Sequence, residues 1–451
     1  MVYVRTRQDQ PSPHGAVVRW ATFLVALALL FLKSPDALLV PQFWAEDGAI
    51  WFNQQHPRTW PPMMEPYAGY LHFVPRLVAW LGSAFALEYQ PLVYNAAAML
   101  IDACAITYVA LRVRTVAPVQ VIVLSFFVLP TAGDIFGAVT NVQWFLQFAV
   151  FIACIRFPHE TAQAQPAWRR WGGAVLLLAA ALSGPFSLLA VAAVCCATAA
   201  FGLLRARKPL PGAQAHPEKY GASLPDGIRW GAVLVVAIGA AAQVFTMLGS
   251  TVATPETAYV LPWERLADLG ITRQEHAYVS IVNHPWRLMH LALWCFLAMG
   301  FAASLALLVR RPDWPRAAMS GMACMGAVQP FLAFAKQHAI HTLSSPSHYF
   351  YLWGVVSIWV VAGELQRRVG SRPWVIPAVL ASILVLGLNR FPDYFHRAEL
   401  ARLDWPGYAK RITTAQAPTV VPLNPLPWHM VVQASHAFEA LRHHSEHEPL
   451  R

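Results

Sequence analysis

Apolar residues run along this chain in long unbroken blocks, without the alternation of a half-buried strand or the one-sided stripe of a soluble helix. The blocks fall at Val17 to about Leu32 and near 92–111, 117–133, 137–156, 171–204, 228–248, 287–309, 316–336, 348–366 and 374–389. Helices of such length span about 30 Å of hydrocarbon, so each block predicts a membrane crossing. The 171–204 block is too long for one crossing, and Ser183, Gly184 and Pro185 break it into two joined by a tight turn. The expected fold is an all-α integral membrane bundle of about eleven transmembrane helices.

The segment from Gly69 to Phe85, GYLHFVPRLVAWLGSAF, also reads as a crossing by length, and charge decides against it. With that segment in the interface, Arg112/Arg114, Arg156 with Arg169/Arg170, Arg205/Arg207/Lys208, Arg310/Arg311 and Arg367/Arg368 all fall on the N-terminal side. Nineteen of the 33 Lys and Arg then lie on that side, and seven of the other fourteen belong to the C-terminal tail, where the positive-inside rule is weak. The first block, preceded by Arg5 and Arg7 and followed by no small-residue cleavage site, reads as an uncleaved anchor with a cytoplasmic N-terminus. Long polar segments at about 34–91, 249–286 and 390–451 are then outside. The expected organisation is a transmembrane module, 1–389, whose outer loop 34–91 carries the chemistry, and an extracytoplasmic segment, 390–451, too short for a core of its own and packed on the module.

Composition agrees: 57% of residues are hydrophobic, only 12% are charged, and mean hydropathy is +0.43, which excludes an ordinary soluble domain. Orientation accounts for the net charge of +10, and no basic run is interleaved with aromatics as nucleic-acid binding requires. Cys104, Cys154, Cys195, Cys196, Cys295 and Cys324 all fall in apolar blocks and are expected to be buried thiols, neither disulfides nor zinc ligands.

Candidate chemistry gathers on the outer side. Glu46 and Asp47 follow the first span; neighbouring carboxylates repel, so one suits a base or metal ligand, or else both simply favour the dipole of the turn that follows. His72 and Arg76, four apart, would share a helical face, with Leu71, Val74, Leu77, Val78 and Leu81 as an apolar side in the interface. Such a basic face suits a lipid phosphate, or snorkels to headgroups. The turn GDIFGAVTNVQW offers Asp134, the only acid in its loop, and Asn141, Gln143 and Trp144, which suit sugar hydroxyls or satisfy a helix start. AKQHAIHTLSSPSHYFYLW sets Lys336, His338, His341 and His348 at two outer helix ends, with Tyr349 and Tyr351 beyond: a rim for a phosphate-sugar, or an interfacial belt. Asp102 lies inside a span with no basic partner in view.

WAEDG, YAGYLHFVPR, TNVQW, SPSHYFY and PLNPLPW, set on an anchor, an acidic outer loop and a multi-helix bundle, resemble a bacterial subgroup of the C-type (GT-C) membrane glycosyltransferases. The resemblance implies a GT-C-like bundle with juxtamembrane helices in its first outer loop, multi-pass in the bacterial cytoplasmic (inner) membrane with the active site facing the periplasm. It implies a hexosyl- or pentosyltransferase, inverting, that moves a sugar from a polyprenyl-phosphate donor to a glycan, lipid or protein acceptor. In that reading Asp47 is the favoured base with Glu46 as the alternative. Arg76, His72, Lys336, His338 and His348 hold the donor phosphate, and Asn141, Gln143, Trp144 and Tyr349 contact sugar or acceptor. Asp134 is the candidate ligand for a divalent cation, Mg or Mn. The chain departs from better-known branches in its Glu-Asp order and in lacking a large folded C-terminal domain, which leaves the base and metal dependence open. The rival classes are a transporter or flippase for lipid-linked glycans, which needs polar groups along a mid-membrane path, and a non-catalytic subunit of an envelope glycan assembly complex.

Overall fold

A backbone surrounded by hydrocarbon has only its own groups to bond, and the apolar blocks meet that demand as helices. The computed structural model describes residues 13–56, 62–130, 133–158, 166–207, 227–249, 285–334, 347–370, 372–397 and 400–433. Its helices are α1 (Pro13–Lys33), α2 (Phe73–Gly82), α3 (Gln90–Val113), α4 (Val119–Ser125), α5 (Gln143–Ala153), α6 (Ala167–Ala181), α7 (Phe186–Arg207), α8 (Trp230–Gly249), α9 (Pro285–Arg310), α10 (Trp314–Phe334), α11 (Tyr351–Val369), α12 (Val375–Arg390) and α13 (Trp405–Thr414). A short antiparallel hairpin, β1 (Thr419–Pro422) with β2 (His429–Val432), completes them.

Each predicted span contains a helix. Among the described residues five stretches are both long and apolar enough to cross a membrane by themselves: Gly15–Lys33, Leu87–Val113, Phe186–Arg207, Trp230–Gly249 and Ala292–Arg310. The spans expected at 117–133 and 137–156 differ most, because α4 has 7 residues and α5 has 11. Between them the chain runs through turns that are buried almost throughout. Such irregular backbone is tolerated at membrane depth only when protein shields it, and α3, α7, α11 and α12 surround this pair. The Tyr351 hydroxyl donates to the Phe126 carbonyl at 2.7 Å and the Trp359 indole to Ser125 Oγ at 2.7 Å, closing the end of α4 within an aromatic core of Phe126, Phe145, Phe148 and Trp359.

Helix ends sort onto two faces. On one, Arg112 donates to the Ile155 carbonyl, Arg156 N–H donates to the Gly227 carbonyl at 2.7 Å, Gly227 abuts Trp314 and Gly363 abuts Val116. The basic pairs at the ends of α3, α7, α9 and α11 belong to this face. On the other lie the first loop, the α4–α5 connection, the α6–α7 turn and residues 347–350. The α6–α7 turn falls at Ser183–Gly184–Pro185, with Gly184 at φ +113°. Ten residues make α2 about 15 Å long, half the hydrocarbon thickness, so it does not cross. Its position is fixed from α8 and the α6–α7 turn. Gln243 accepts from Leu71 N–H at 2.8 Å and donates back to its carbonyl at 3.3 Å, while Ser183 Oγ accepts from Val74 N–H at 2.8 Å.

Residues 400–432 lie over the first loop, where Trp405, Ile412, Val421 and Met430 share a buried cluster with Phe43, Trp51, Phe52 and Tyr94. Arg397 pins this segment. Its guanidinium meets Asp36 at 2.9 Å and the carbonyls of Phe136 and Gly137 at 3.1 Å each.

The cysteines correct an expectation. All six are free, but Cys104, Cys195, Cys196 and Cys295 are exposed on the helix surfaces, Cys324 is half-buried, and Cys154 is buried. An apolar block does not imply burial here, because the outward face of a membrane helix meets lipid; Leu24, Leu176, Leu234 and Phe245 are exposed in the same way.

In a background with the six cysteines replaced, Glu88→Cys and Lys410→Cys are expected to react with a membrane-impermeant thiol reagent from one side, and Arg170→Cys from the other. Gly15→Cys, at the start of α1, is expected to react from the Arg170 side, and labelling of Glu88→Cys from the same side as Gly15→Cys would place a crossing between α1 and α3.

Candidate functional site

The first loop leaves α1 and winds into a π-helical turn, Asp47–Phe52, a wider coil than the α-helix and one often found where a side chain must be re-aimed. The turn sends Asp47 inward. Asp47 is 0% exposed, its Oδ2 accepts from Val139 N–H and its Oδ1 from Thr140 N–H, both at 2.8 Å. It closes the turn that leads into α5. Burial lifts its carboxyl to about 7, against the two N–H groups and Arg397 and with help from Glu46. Both oxygens of Asp47, the carboxylate that the resemblance favours as base, are thus bonded to backbone N–H groups.

Glu46, one residue earlier, is half-buried and faces a different company. Burial raises its carboxyl above the ordinary range; its own backbone N–H and His348 act against the shift, and Asp134 adds to it. His348 Nδ1 lies 3.1 Å from Asp134 Oδ2, and Asn141 donates to the Asp134 carbonyl at 2.6 Å. Tyr67 and Tyr70 close the other side. They flank a tight turn in which each N–H donates to the other's carbonyl, at 3.0 and 3.2 Å, and both central residues, Ala68 at φ +53° and Gly69 at φ +87°, are left-handed. Burial and Glu46 push the Tyr67 hydroxyl up to about 12; burial and Tyr349 raise that of Tyr70, with Gln143 beside it acting the other way.

Trp144 is a wall of this site and does not offer an open platform. Its ring is boxed by Phe186 at 4.9 Å, His348 at 4.5 Å and Tyr349 at 5.3 Å. Gln143 is buried, with its amide donating to the Thr140 carbonyl at 3.3 Å.

Arg76 is 2% exposed on α2, stacked over Trp51 with its Cζ 5.1 Å from the ring centroid. Nη1 donates to Gln54 at 2.8 Å, while Nε and Nη2, the edge that matches two phosphate oxygens, are buried with no acceptor. Burial lowers its pKa and Glu65 opposes that. His72 departs from the expected shared face. It precedes α2 as the N-cap, its Nδ1 lies 3.2 Å from the Tyr70 carbonyl, and the rings of Trp51 and Tyr70 enclose it at 4.9 and 4.4 Å. Burial draws its pKa down to about 3, with the Tyr70 carbonyl acting against the shift and Arg76 adding to it.

The structure therefore brings together Glu46, Asp134, His348, Tyr349, Asn141, Gln143 and Trp144, with Arg76 and His72 joined to them through Trp51 and Tyr67. Lys336, His338 and His341 lie outside the described residues. Among the described residues no three His, Cys, Asp or Glu side chains are grouped to hold a metal ion, and Asp134 is engaged with His348.

No protein-family model matches the sequence, and no curated protein matches it. Among solved structures, the chain is similar to the Archaeoglobus fulgidus oligosaccharyltransferase. The apo form is 13% identical over 85% of this chain and 56% of that one, with a TM-score of 0.44. The form tethered to an acceptor peptide containing the NVT sequon is 14% identical over 88% and 57%, with a TM-score of 0.45. The oligosaccharyltransferase AglB in complex with an inhibitory peptide and a dolichol-phosphate is 14% identical over 85% and 56%, with a TM-score of 0.43. The chain spans a little over half the length of these structures.

Several site residues escaped sequence reasoning. Tyr67 and Tyr70 were visible only as part of a Tyr- and Pro-rich loop, and the Ala-Gly pair between them was the signal of a turn that aims both rings. Gln54 and Gln243 are single amides with no motif around them; Gln243, alone in an apolar block, carries the stronger hint, because an amide at such a position must find a partner.

Difference infrared titration against Glu46→Gln is expected to find the Glu46 carboxyl titrating above the usual glutamate range. It should move down in Asp134→Asn, which removes a like charge, and up in His348→Gln, which removes an opposing one. An unchanged value in both variants would separate Glu46 from the Asp134–His348 pair.

Proposed function

We propose that the protein is a membrane glycosyltransferase that takes a sugar from a polyprenyl-phosphate donor and transfers it to an acceptor at the face carrying Glu46. The observation that carries this reading is the unpaired edge of Arg76. A buried guanidinium with no acceptor on Nε and Nη2 is costly unless an anion meets it, and its fork fits two oxygens of one phosphate. Trp51 and Tyr67 lie between it and Glu46, so a sugar whose phosphate is held by Arg76 would span these rings toward an acceptor activated at Glu46.

Glu46 takes the proton from the acceptor hydroxyl as its oxygen attacks the anomeric carbon. The bond from that carbon to the phosphate oxygen breaks, the phosphate keeps the electron pair, and Arg76 stabilises the charge it gains. Attack opposite the leaving phosphate inverts the anomeric centre. His348, paired with Asp134, borders Glu46 at the acceptor end. Tyr349, Asn141 and Gln143 surround the ring and acceptor. Asp47 is a positioning residue, holding the loop of Asp134 against the loop of Glu46. The basic ends of α3, α7, α9 and α11 on the opposite face support a site on the outer side of a bacterial cytoplasmic membrane, with the N-terminus inside.

A transporter of lipid-linked glycans is the second reading, favoured by Asp102, which is fully buried in α3 with neither oxygen hydrogen-bonded. It requires that Asp102→Asn stop the process while Glu46→Gln does not.

Isosteric replacements separate the two acids. Glu46→Gln is expected to keep its melting temperature in detergent and to lose roughly 10²- to 10⁴-fold in transfer to a glycan acceptor. Asp47→Asn turns an NH₂ toward a backbone N–H and is expected to lose about 1 to 3 kcal/mol of stability while the folded fraction still transfers sugar. Full transfer activity in Glu46→Gln would remove the base and the mechanism with it.

A further inference from the structure

The C-terminal segment does not close fully over the first loop. Between them lies an open cleft of about 210 Å³, whose walls include Gln42, Phe43, Trp405, Tyr408, Val421 and Leu423. That is less than the usual pocket for a whole small molecule, so the cleft takes one group of a larger ligand. Among the described residues, no charged side chain lines it. Its buried polar wall is Gln42, 5% exposed. Leu403 N–H and the Asn424 amide both donate to Gln42 Oε1, at 2.9 and 3.3 Å, and two donors on one end of the amide fix that end as the oxygen. The other end, Nε2, is buried and has no acceptor. Trp405 spends its indole N–H on the Leu87 carbonyl at 3.0 Å, so Gln42 is the buried lining side chain with a donor left over. An unmet NH₂ in an otherwise apolar cleft is costly, and an oxygen brought by a ligand removes the cost.

The geometry points to this cleft, within the transferase reading on which the inference rests, as the seat of an acetamido group on an N-acetylated acceptor glycan. An acetamido group carries what the cleft lacks: a carbonyl oxygen for Gln42 Nε2 and a methyl for the walls of Phe43, Val421 and Leu423. A plain hydroxyl would leave those walls unfilled. An ammonium would meet no carboxylate among the lining residues, and a carboxylate would have no cation there. The rings of Trp405 and Tyr408 give the sugar a face to lie on, and Arg411, its Cζ 4.2 Å from the Tyr408 centroid, steadies the second of them. The cleft also adjoins the acid site. A Cβ on Gly48 would meet Leu423 at 2.6 Å and Phe43 at 3.1 Å, so two of its walls rest on the turn that follows Glu46. An acceptor longer than one sugar can therefore seat one unit here and present a hydroxyl to Glu46.

The test measures binding of the methyl β-glycosides of N-acetylglucosamine, glucose and glucosamine to the full chain in nanodiscs, with polyprenyl phosphate titrated separately. The N-acetylglucosaminide is expected to bind about tenfold tighter than either of the other two glycosides. Gln42→Glu keeps an oxygen for Leu403 and Asn424 and replaces only the NH₂, and Tyr408→Ala removes a half-buried wall that takes no part in those bonds. Both should bring the preference close to one. Tyr408→Ala is also expected to keep the wild-type melting temperature, so its loss of preference is read apart from folding. Equal binding of the three glycosides by the wild type, or a preference that survives in both variants, overturns the acetamido seat and leaves the transferase reading standing. Failure of the wild type to bind polyprenyl phosphate overturns that reading, and the acceptor role of the cleft with it.

Discussion

The carboxylate of Asp47, accepting two successive backbone N–H groups from the α4–α5 connection, is the contact on which the outer face depends. A carboxylate taken fully out of water must be met by donors, and here the donors come from a segment more than ninety residues away in the chain. Arg397 does the complementary work. Its guanidinium joins Asp36 in the first loop to two carbonyls of the same connection, so the C-terminal segment, the first loop and the second are tied by one buried cation. Removing one partner of such a set leaves a buried charge unmet and is far more damaging than the net worth of the pair suggests. Glu46 is placed by this frame without being part of it. Adjacent residues on a helical coil point in different directions, and the pair Glu46–Asp47 divides into one carboxylate for the fold and one for the surface.

Depth is controlled in a similar way. Leu71, next to the His72 N-cap, is gripped on both backbone groups by a single amide, Gln243, and Val74 is held by Ser183, so α2 stays at the mouth of the bundle and carries Arg76 under the Trp51 ring. The half-length α4 and α5 leave room for irregular backbone inside the bundle, and that irregularity delivers Asp134, Asn141 and Gln143 to the same end. Two glycines with positive φ, Gly133 and Gly137, make the turns; a Cβ on Gly133 would meet the Arg397 backbone at 2.4 Å.

Block length and the placement of arginines made the helices, the α6–α7 turn and the non-crossing α2 legible in the sequence, because membrane insertion depends on those same quantities. Burial was not legible, since lipid and protein interior select the same residues; this is why four cysteines face outward and why α4 is too short for its block. The acidic pair stands out in the sequence, and the different surroundings of its two members do not. Nothing in Glu-Asp order foretells a π-helical turn or a loop that arrives with two free N–H groups. His72 was placed on the face of Arg76 because spacing says nothing of the rings that enclose it.

The central claim is that the buried edge of Arg76 receives a lipid-linked phosphate while Glu46 faces the acceptor. A cryo-EM map of the protein in nanodiscs with polyprenyl phosphate tests it most directly. The account predicts phosphate density against Nε and Nη2 of Arg76, beside Trp51, lost in Arg76→Ala and weakened in Arg76→Lys. Phosphate density seated elsewhere, with the Arg76 edge still unpaired, would contradict it.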